Sequence, residues 1–507
     1  MQGSSRNDQA FLDAAVLCGH LLGEGSVHAF LAEHRTRLFP DEMFADLFPT
    51  DRGRPSVPAD VIATVMVLQA LEGLSDREAC RALQTNIAWK AACGLSLTDE
   101  AFHPTVLTLW RAKLRVSDRP QRIFDAVRDV VKGSGVIANK HRRALDSTVL
   151  DDAVARQDTI TMIVTQMRRV RKLVPELHGI FVHEENLTGG RPPADYEDQA
   201  DIDRLVSELV EDANELVFAA EELDLDETQA DAVALLALVA GQDVEPTDHP
   251  GHWAIAKRTA PDRVISVVDP ESRHVHKTSH SYRDGYKAHV SVEPDTGIIC
   301  ATHLGAANLG DATAAPTLLE NEPKGTEVLG DSAYGSGELR AHLQRTKMTA
   351  VIKPGPLRPA VAGGYDLDDF AVDEEGGVVT CPEGFTVAIR ASRTARFGTH
   401  CTSCPVRELC TTAKGGRIIK LHPNHGLLVA ARIQARTDAF GEVYRHDRPM
   451  VERSLAWLVR KNSRRLAYRG AVRNAMWLAH RAAAVNLMRM VNLGLVHDGK
   501  SWAMAVE

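Results

Sequence analysis

Three acidic side chains, far apart in the chain, stand where chemistry can use them: Asp146, Asp331 and Glu452. Asp146 follows the apolar start of RRALDSTVLDD, and Asp331 closes the apolar run in VLGDSAYGSGELRAHL. Both read as aspartates at strand ends. Glu452 reads as a first-turn residue of a basic helix opened by Pro449, between Arg448 and Arg453. Singly these positions have ordinary explanations. Aspartate is a good helix N-cap, and a helix glutamate among arginines usually makes a surface ion pair of little worth. As a set they mean more. Three carboxylates meeting at one point repel one another, so divalent cations should accompany them, and hard oxygen ligands suit Mg²⁺ or Mn²⁺. Two such ions about 3.5–4 Å apart clamp the attacking and leaving oxygens of an in-line phosphoryl displacement. Asp151, Asp152, Asp269 and Asp284 compete for these acid positions, although Asp269 in VVDPES reads as a turn residue.

A second candidate group is the cysteine cluster Cys381, Cys401, Cys404 and Cys410, with His400 or His422 as possible substitute ligands. Clustered cysteines in a chain expected to be cytosolic point to metal rather than disulfides. Four thiolates suit tetrahedral Zn²⁺ in a closed, structural site. Such a site leaves no open position for water, which argues against a zinc hydrolase.

These groups need elements to hold them. Residues 1–135 read as helical, with Ser75 as an N-cap after the turn Gly73-Leu74 and a further helix in HPTVLTLWRAKLR, an arrangement resembling a helix-turn-helix. RRALD is a strand. Residues 156–259 read as a helical, acidic insertion. RVISVVD reads as a strand, GYKAHVSVEPDTGIICATHLG as a hairpin, and EVLGD and MTAVIKPG as further strands separated by short helices. The whole is an α/β core, residues 136–155 and 260–360, followed by a Cys-rich insertion over 361–425 and basic helices over 426–507. Net charge is −9, but it is segregated: residues 197–248 hold 17 acids and one base, whereas residues 414–481 hold 15 Lys or Arg and four acids. The basic region is the expected footprint of a phosphate backbone. No apolar run reaches the length of a membrane span, and the N-terminus lacks a secretory pattern, so the expected location is the cytoplasm.

Together, ALDSTV, SVVDPESRHVHKTSHSYRDGYKAHVSV, AANLGDATAAPTLL, VLGDSAYGS and YRHDRPMVERSLAWLVRKNSRRLAYRG resemble the DDE transposases of bacterial insertion sequences, in particular the eleven-eighty-two group. The Cys-rich insert and the early block LFPDEMFADLFPTDRGRPSVPADVIATVMVLQALEGLSDREACRALQ resemble the same group. The resemblance implies an RNase H-like mixed-sheet core and a helical N-terminal DNA-binding domain. It also implies Asp146, Asp331 and Glu452 as the catalytic, metal-binding triad holding two Mg²⁺ or Mn²⁺ ions. The implied partners are terminal inverted repeats and target DNA, bound by a synaptic homodimer, with no membrane and no small-molecule substrate. The family pattern around the glutamate is Tyr, two residues, Arg, three residues, Glu, six residues, Lys. Arg448 and Glu452 fit it. Arg445 stands at the Tyr position with Tyr444 one residue early, and Val459 stands at the Lys position with Arg460 and Lys461 just after. Residues 448, 452, 456 and 460 are expected to form one i, i+4 row. DNA contacts are expected from Lys287, Tyr444, Arg445, Arg448, Arg453, Arg460, Lys461, Arg464 and Arg465, Lys287 reading equally as an edge-strand lysine. The activity implied is cut-and-paste transposition. The alternative is a catalytically silent, transposase-derived DNA-binding regulator.

Overall fold

The computed structural model describes residues 1–5, 12–50, 52–180, 183–278 and 281–505; Ser279 and His280, inside one of the quoted motifs, lie outside the described residues. The longer helices of the N-terminal part are α1 (Val27–Leu38), α2 (Ala59–Glu72), α3 (Asp76–Thr85), α4 (Thr105–Val116) and α5 (Arg122–Gly133). Helix α2 is apolar on all sides and buried from Ala59 to Gln69, as befits a central helix. Gly73 ends it in the left-handed conformation, and Ser75 starts α3 with a capping box closed by Glu78, so the expected turn and cap are present.

Strand β1 (Arg142–Asp151) begins the sheet, and helices α6 (Thr159–Leu173), α7 (Gln199–Ala220) and α8 (Glu227–Gln242) follow around an apolar cluster of their own. The chain returns to the sheet as β2 (Arg273–Thr278), β3 (Ser281–Glu293), β4 (Ile298–Ala306), β5 (Glu327–Gly330) and β6 (Thr349–Ile352), with α9 (Gly337–Arg345) before β6. β3 pairs antiparallel with β1, β2 and β4; β1–β5 and β5–β6 are parallel, so the sheet is mixed. The expected hairpin is β3–β4.

The expected strand at residues 263–269 is not one. Its backbone is satisfied by side chains instead: Val264 N–H donates to Gln242 Oε1 at 3.0 Å and Val267 N–H to Gln157 Oε1 at 2.8 Å. Val264 and Val267 pack against Met162 and Val239 of the helical segment. An apolar run was legible there, but its partner is helix rather than strand.

After a Cys-rich segment of short strands come α10 (Asp438–Leu458) and α11 (Ala471–Asn492). Alternation along β1 sends Ala144 and Leu150 into one apolar cluster and Leu145 into another, on the opposite face. The first cluster is shared by the sheet, α10, α11 and the N-terminal helices, so these parts are built on one core. Arg481 of α11 is buried in it. Its guanidinium donates to Leu458 O (2.8 Å), Trp457 O (2.8 Å) and Arg460 O (3.1 Å) at the end of α10 and to Leu71 O (2.9 Å) and Ala70 O at the end of α2. The negative ends of two helix dipoles thus share one cation. No helix among the described residues is long and apolar enough to cross a membrane.

Candidate active site

Asp146 lies in the middle of β1, not at its end. The strand continues because its antiparallel pairing with β3 runs on to Asp151 opposite Gly285, while the parallel pairing with β5 stops at Ala144 opposite Leu329. Extending that register by two residues sets Asp146 beside Asp331, the first residue after β5, on the same face. Asp331 also does the local work its sequence suggested, accepting from Ala333 N–H at 2.9 Å to cap a short 3₁₀ turn. The cap of α9 itself is Ser336.

Glu452 comes from α10, but not from its first turn. The helix starts at Asp438, capped by Thr437, and Pro449 sits inside it. Proline lacks the N–H that would reach the carbonyl of Arg445. The helix tolerates this loss because its buried face, including Val451, Ser454, Leu455 and Leu458, is fixed by packing.

The three acids meet at the Arg448 guanidinium. Its Nη2 lies 2.9 Å from Asp146 Oδ2 and 3.8 Å from Asp331 Oδ2, and its Nε lies 3.7 Å from Glu452 Oε1. Nη1 donates to Leu145 O at 2.8 Å, fixing the group against β1. Exposure rises across the set: the side chains of Asp146, Asp331 and Glu452 are 13%, 40% and 64% exposed. The site is therefore a slope from core to solvent. Burial pushes the Asp146 carboxyl above the usual range, although Arg448 pulls the other way. Burial opposes charge on Arg448, but Asp146, Tyr444 and Asp331 outweigh it and hold the guanidinium more firmly protonated.

Tyr444, Arg448 and Glu452 are spaced by four on α10 and form the row that faces the acids. Burial raises the Tyr444 hydroxyl, and Asp331, Asp146 and Glu452 add to this. Tyr444, one residue before the expected position, shares the row, while exposed Arg445 bends back to Gly441 O at 3.0 Å. The row stops at Ala456. Helix α10 ends at Leu458, and Lys461 and Asn462 take positive φ of 53° and 64°, so Arg460 and Lys461 lie in the turn after the helix, both exposed. Arg453 is exposed on α10. Arg464 donates to Thr148 Oγ1 at 2.9 Å and Val149 O at 3.1 Å, and Arg465 forms a parallel bridge with Asp151.

Lys287 is not part of this constellation. In the β1–β3 register it stands opposite Val149, on the face away from Asp146. There it donates to Asp311 Oδ1 and Leu309 O, both at 2.7 Å, and Ser147 Oγ donates to the other Asp311 oxygen. The competing acids are engaged elsewhere: Asp151 with Arg283, Asp152 with Ser272, Asp284 with Arg156 and His274, and Asp269 with Tyr286 and the N–H of Gly470 before α11. Among the described residues one set of three metal-type ligands lies within 4.8 Å: Asp295, His446 and Asp447, the last already paired with Arg142 at 2.8 Å. Sequence reading set Arg448 beside Glu452 by its i−4 spacing but missed its central position, which rests on the distant Asp146 and Asp331.

The four clustered cysteines are free and line one cavity of about 20 Å³ with Phe370, Phe385, Phe397 and His400. Arg417 N–H donates to Cys401 Sγ at 3.4 Å. Burial pushes the Cys410 thiol up. A cavity of this size admits one ion or one water, and the donor set suits a soft metal. His400 remains at the cavity, stacked on Phe385 at 5.0 Å. His422 does not: it is bonded to Glu338 at 2.8 Å and accepts from Asn424 N–H at 2.9 Å.

Comparison with known families gives two matches. Residues 27–113 match a transposase domain (DUF772), and residues 380–491 match the transposase DDE domain, which takes in the cysteines, α10 with Glu452, and most of α11. No curated protein and no solved structure matches the chain. The two matches, at opposite ends of one chain, are both to transposase domains and together indicate a DDE transposase of the insertion-sequence type.

Proposed function

We propose that the protein is an active cut-and-paste transposase with an RNase H-like core, and that Asp146, Asp331 and Glu452 are its catalytic carboxylates. The observation that carries this is the gathering of three acids, from β1, from the end of β5 and from α10, around the single guanidinium of Arg448. The mixed sheet, an antiparallel hairpin on one side of β1 and two parallel strands on the other, supports the core assignment. DDE transposases as a family use divalent metal ions. Hard carboxylate oxygens beside a cationic group fit Mg²⁺ or Mn²⁺, and bound there, such ions supply water activation and a charge clamp for phosphodiester cleavage and strand transfer.

The chain's own residues do the rest. The register of β1 and β5 sets the spacing of the two aspartates, and α10 brings Glu452 from above. Arg448 balances the charge of Asp146 and presents a guanidinium to a phosphate. In this reading Tyr444, Arg453, Arg460, Lys461, Arg464 and Arg465 contact the DNA backbone. In this reading residues 1–135 recognise the terminal inverted repeats and residues 136–155 and 260–360 form the core. The Glu-bearing helices of residues 426–507 complete the site, and a dimer holds two ends in the cytoplasm. Zinc in the cysteine cavity pins residues 361–425; the acidic helices of residues 156–259 pack among themselves. The silent-regulator reading is disfavoured by the retention of all three acids.

The test is Mg²⁺-dependent nicking of DNA bearing a matched element end. Asp331→Asn is expected to lose at least about a thousandfold in rate while still binding DNA. Nicking at the wild-type rate removes Asp331 from the reaction.

A further inference from the structure

A cavity of about 790 Å³ lies between the N-terminal helices and the segment after α10, at the junction of the two family-matched regions. One wall is the turn from α2 to α3 and the side of α4; the other runs from Asn462 to His480. The walls meet closely. A Cβ on Gly73, at φ +68°, would come 2.3 Å from the Lys461 carbonyl oxygen.

Four observations give the cavity its chemistry. Arg77, Arg115, Arg465 and Arg473 line it, and none has a side-chain partner among the described residues. Its acids are spent: Asp76 takes both arms of Arg111 at 2.8 and 2.7 Å, and Glu78 accepts from Ser75 N–H at 2.8 Å. Half-buried Tyr468 and Trp477 add aromatic surface, with Arg111 over the Tyr468 ring at 5.7 Å. At the base, His480 is 5% exposed and its Nε2 has no hydrogen-bond partner. A buried ring nitrogen left unpaired has a cost that a ligand would relieve. The volume falls within the range of sites that take small organic molecules. The chain links the cavity to β1: Arg464, the neighbour of its Arg465, bonds Thr148, two residues along β1 from Asp146 and on the same face.

We propose that this cavity is a nucleotide seat, taking one unstacked base against the aromatic surface and its phosphates on the unpaired arginines. This rests on the transposase reading for the source of the nucleotide, a strand passing the carboxylates; a free nucleotide offers the same chemistry. Base stacking on aromatic side chains and charge along the backbone are the general means of holding single strands.

The experiment uses the full chain with metal chelated, so that binding is read apart from nicking. A 5′-phosphorylated, fluorescently labelled single-stranded oligonucleotide is titrated by anisotropy, and a deoxynucleoside monophosphate by calorimetry. Arg115→Gln with Arg473→Gln should weaken oligonucleotide binding about tenfold and flatten its salt dependence, since two phosphate contacts are removed. Trp477→Leu should weaken it severalfold with the salt dependence unchanged. Circular dichroism checks the fold, and Arg473→Gln alone serves if the double variant unfolds. Binding of the oligonucleotide but not the monophosphate supports a strand nucleotide; saturable monophosphate binding, lost in the same variants, supports a free one. Unchanged affinity in all variants overturns the seat. Failure of the wild type to nick, with these binding losses intact, overturns the transposase reading and leaves the seat standing.

Discussion

The carboxylate centre and the cysteine cavity are built on opposite plans. The acids come from positions 146, 331 and 452 and meet only because a parallel strand register and a long helix bring them together. The cysteines fall within 30 residues and are gathered by short strands and turns around Phe370 and Phe397. The acid centre opens to solvent and carries its own cation; the cysteine cavity is small and walled by apolar rings. An assembly from distant segments, strained by like charge, is the plan of a site that acts. Local assembly within one short, apolar-walled segment is the plan of a site that holds.

The largest test of this contrast is Asp146→Asn. Burial already raises the Asp146 carboxyl, so ionised Asp146 costs the metal-free fold something. The sign is that of a raised acid: stability falls as pH rises from the ordinary carboxylate value through the raised one. The variant should therefore lose nicking by at least about a thousandfold, while its melting temperature in chelator at pH 7 is unchanged or higher. A lower melting temperature would mean that this acid stabilises the fold, against the contrast. Next comes Arg448→Ala. Removing the shared cation leaves Asp146 unpaired and partly buried, at roughly 3 kcal/mol. Denaturant titration in chelator should show that loss, and Mg²⁺ should restore part of it.

Cys401→Ser addresses the other region. Metal analysis should find one zinc per wild-type chain and less in the variant, with a stability loss on the order of a few kcal/mol. DNA nicking should fall only as far as folding does. A zinc-free wild type would sink the structural-zinc role. The smallest effect lies beside the acid centre on α10, where Asp447, by hydrogen bond and charge, raises the His446 imidazole. The stability this pair gives is fully present below the ordinary histidine value and lost as pH rises through the raised one. His446→Gln should remove that pH dependence and leave nicking unchanged.

How much of this was legible in the sequence differs between the two plans. The cysteines, being local, were readable as a group. The acids were found by residue type and by resemblance, but their placement was misread. Pro449 looked like a helix start because proline favours the first turn, and packing further along α10 overrode that preference. Asp146 looked like a strand end because sequence shows no pairing partner, and β3 extends the strand. Lys287 was offered as a phosphate contact, and a period-two alternation relative to Asp146 is visible only once the register is known. Arg448 was read as flanking the glutamate; its place among all three acids depends on contacts more than 100 residues distant in sequence.

Arg481 has a mechanical consequence. It clasps the final carbonyls of α2 and of α10 from within the core, so neither helix end can withdraw without stranding a buried guanidinium and its acceptors. The N-terminal layer and the rod bearing Glu452 therefore travel as a single lever. Whatever tilts the first also aims the second.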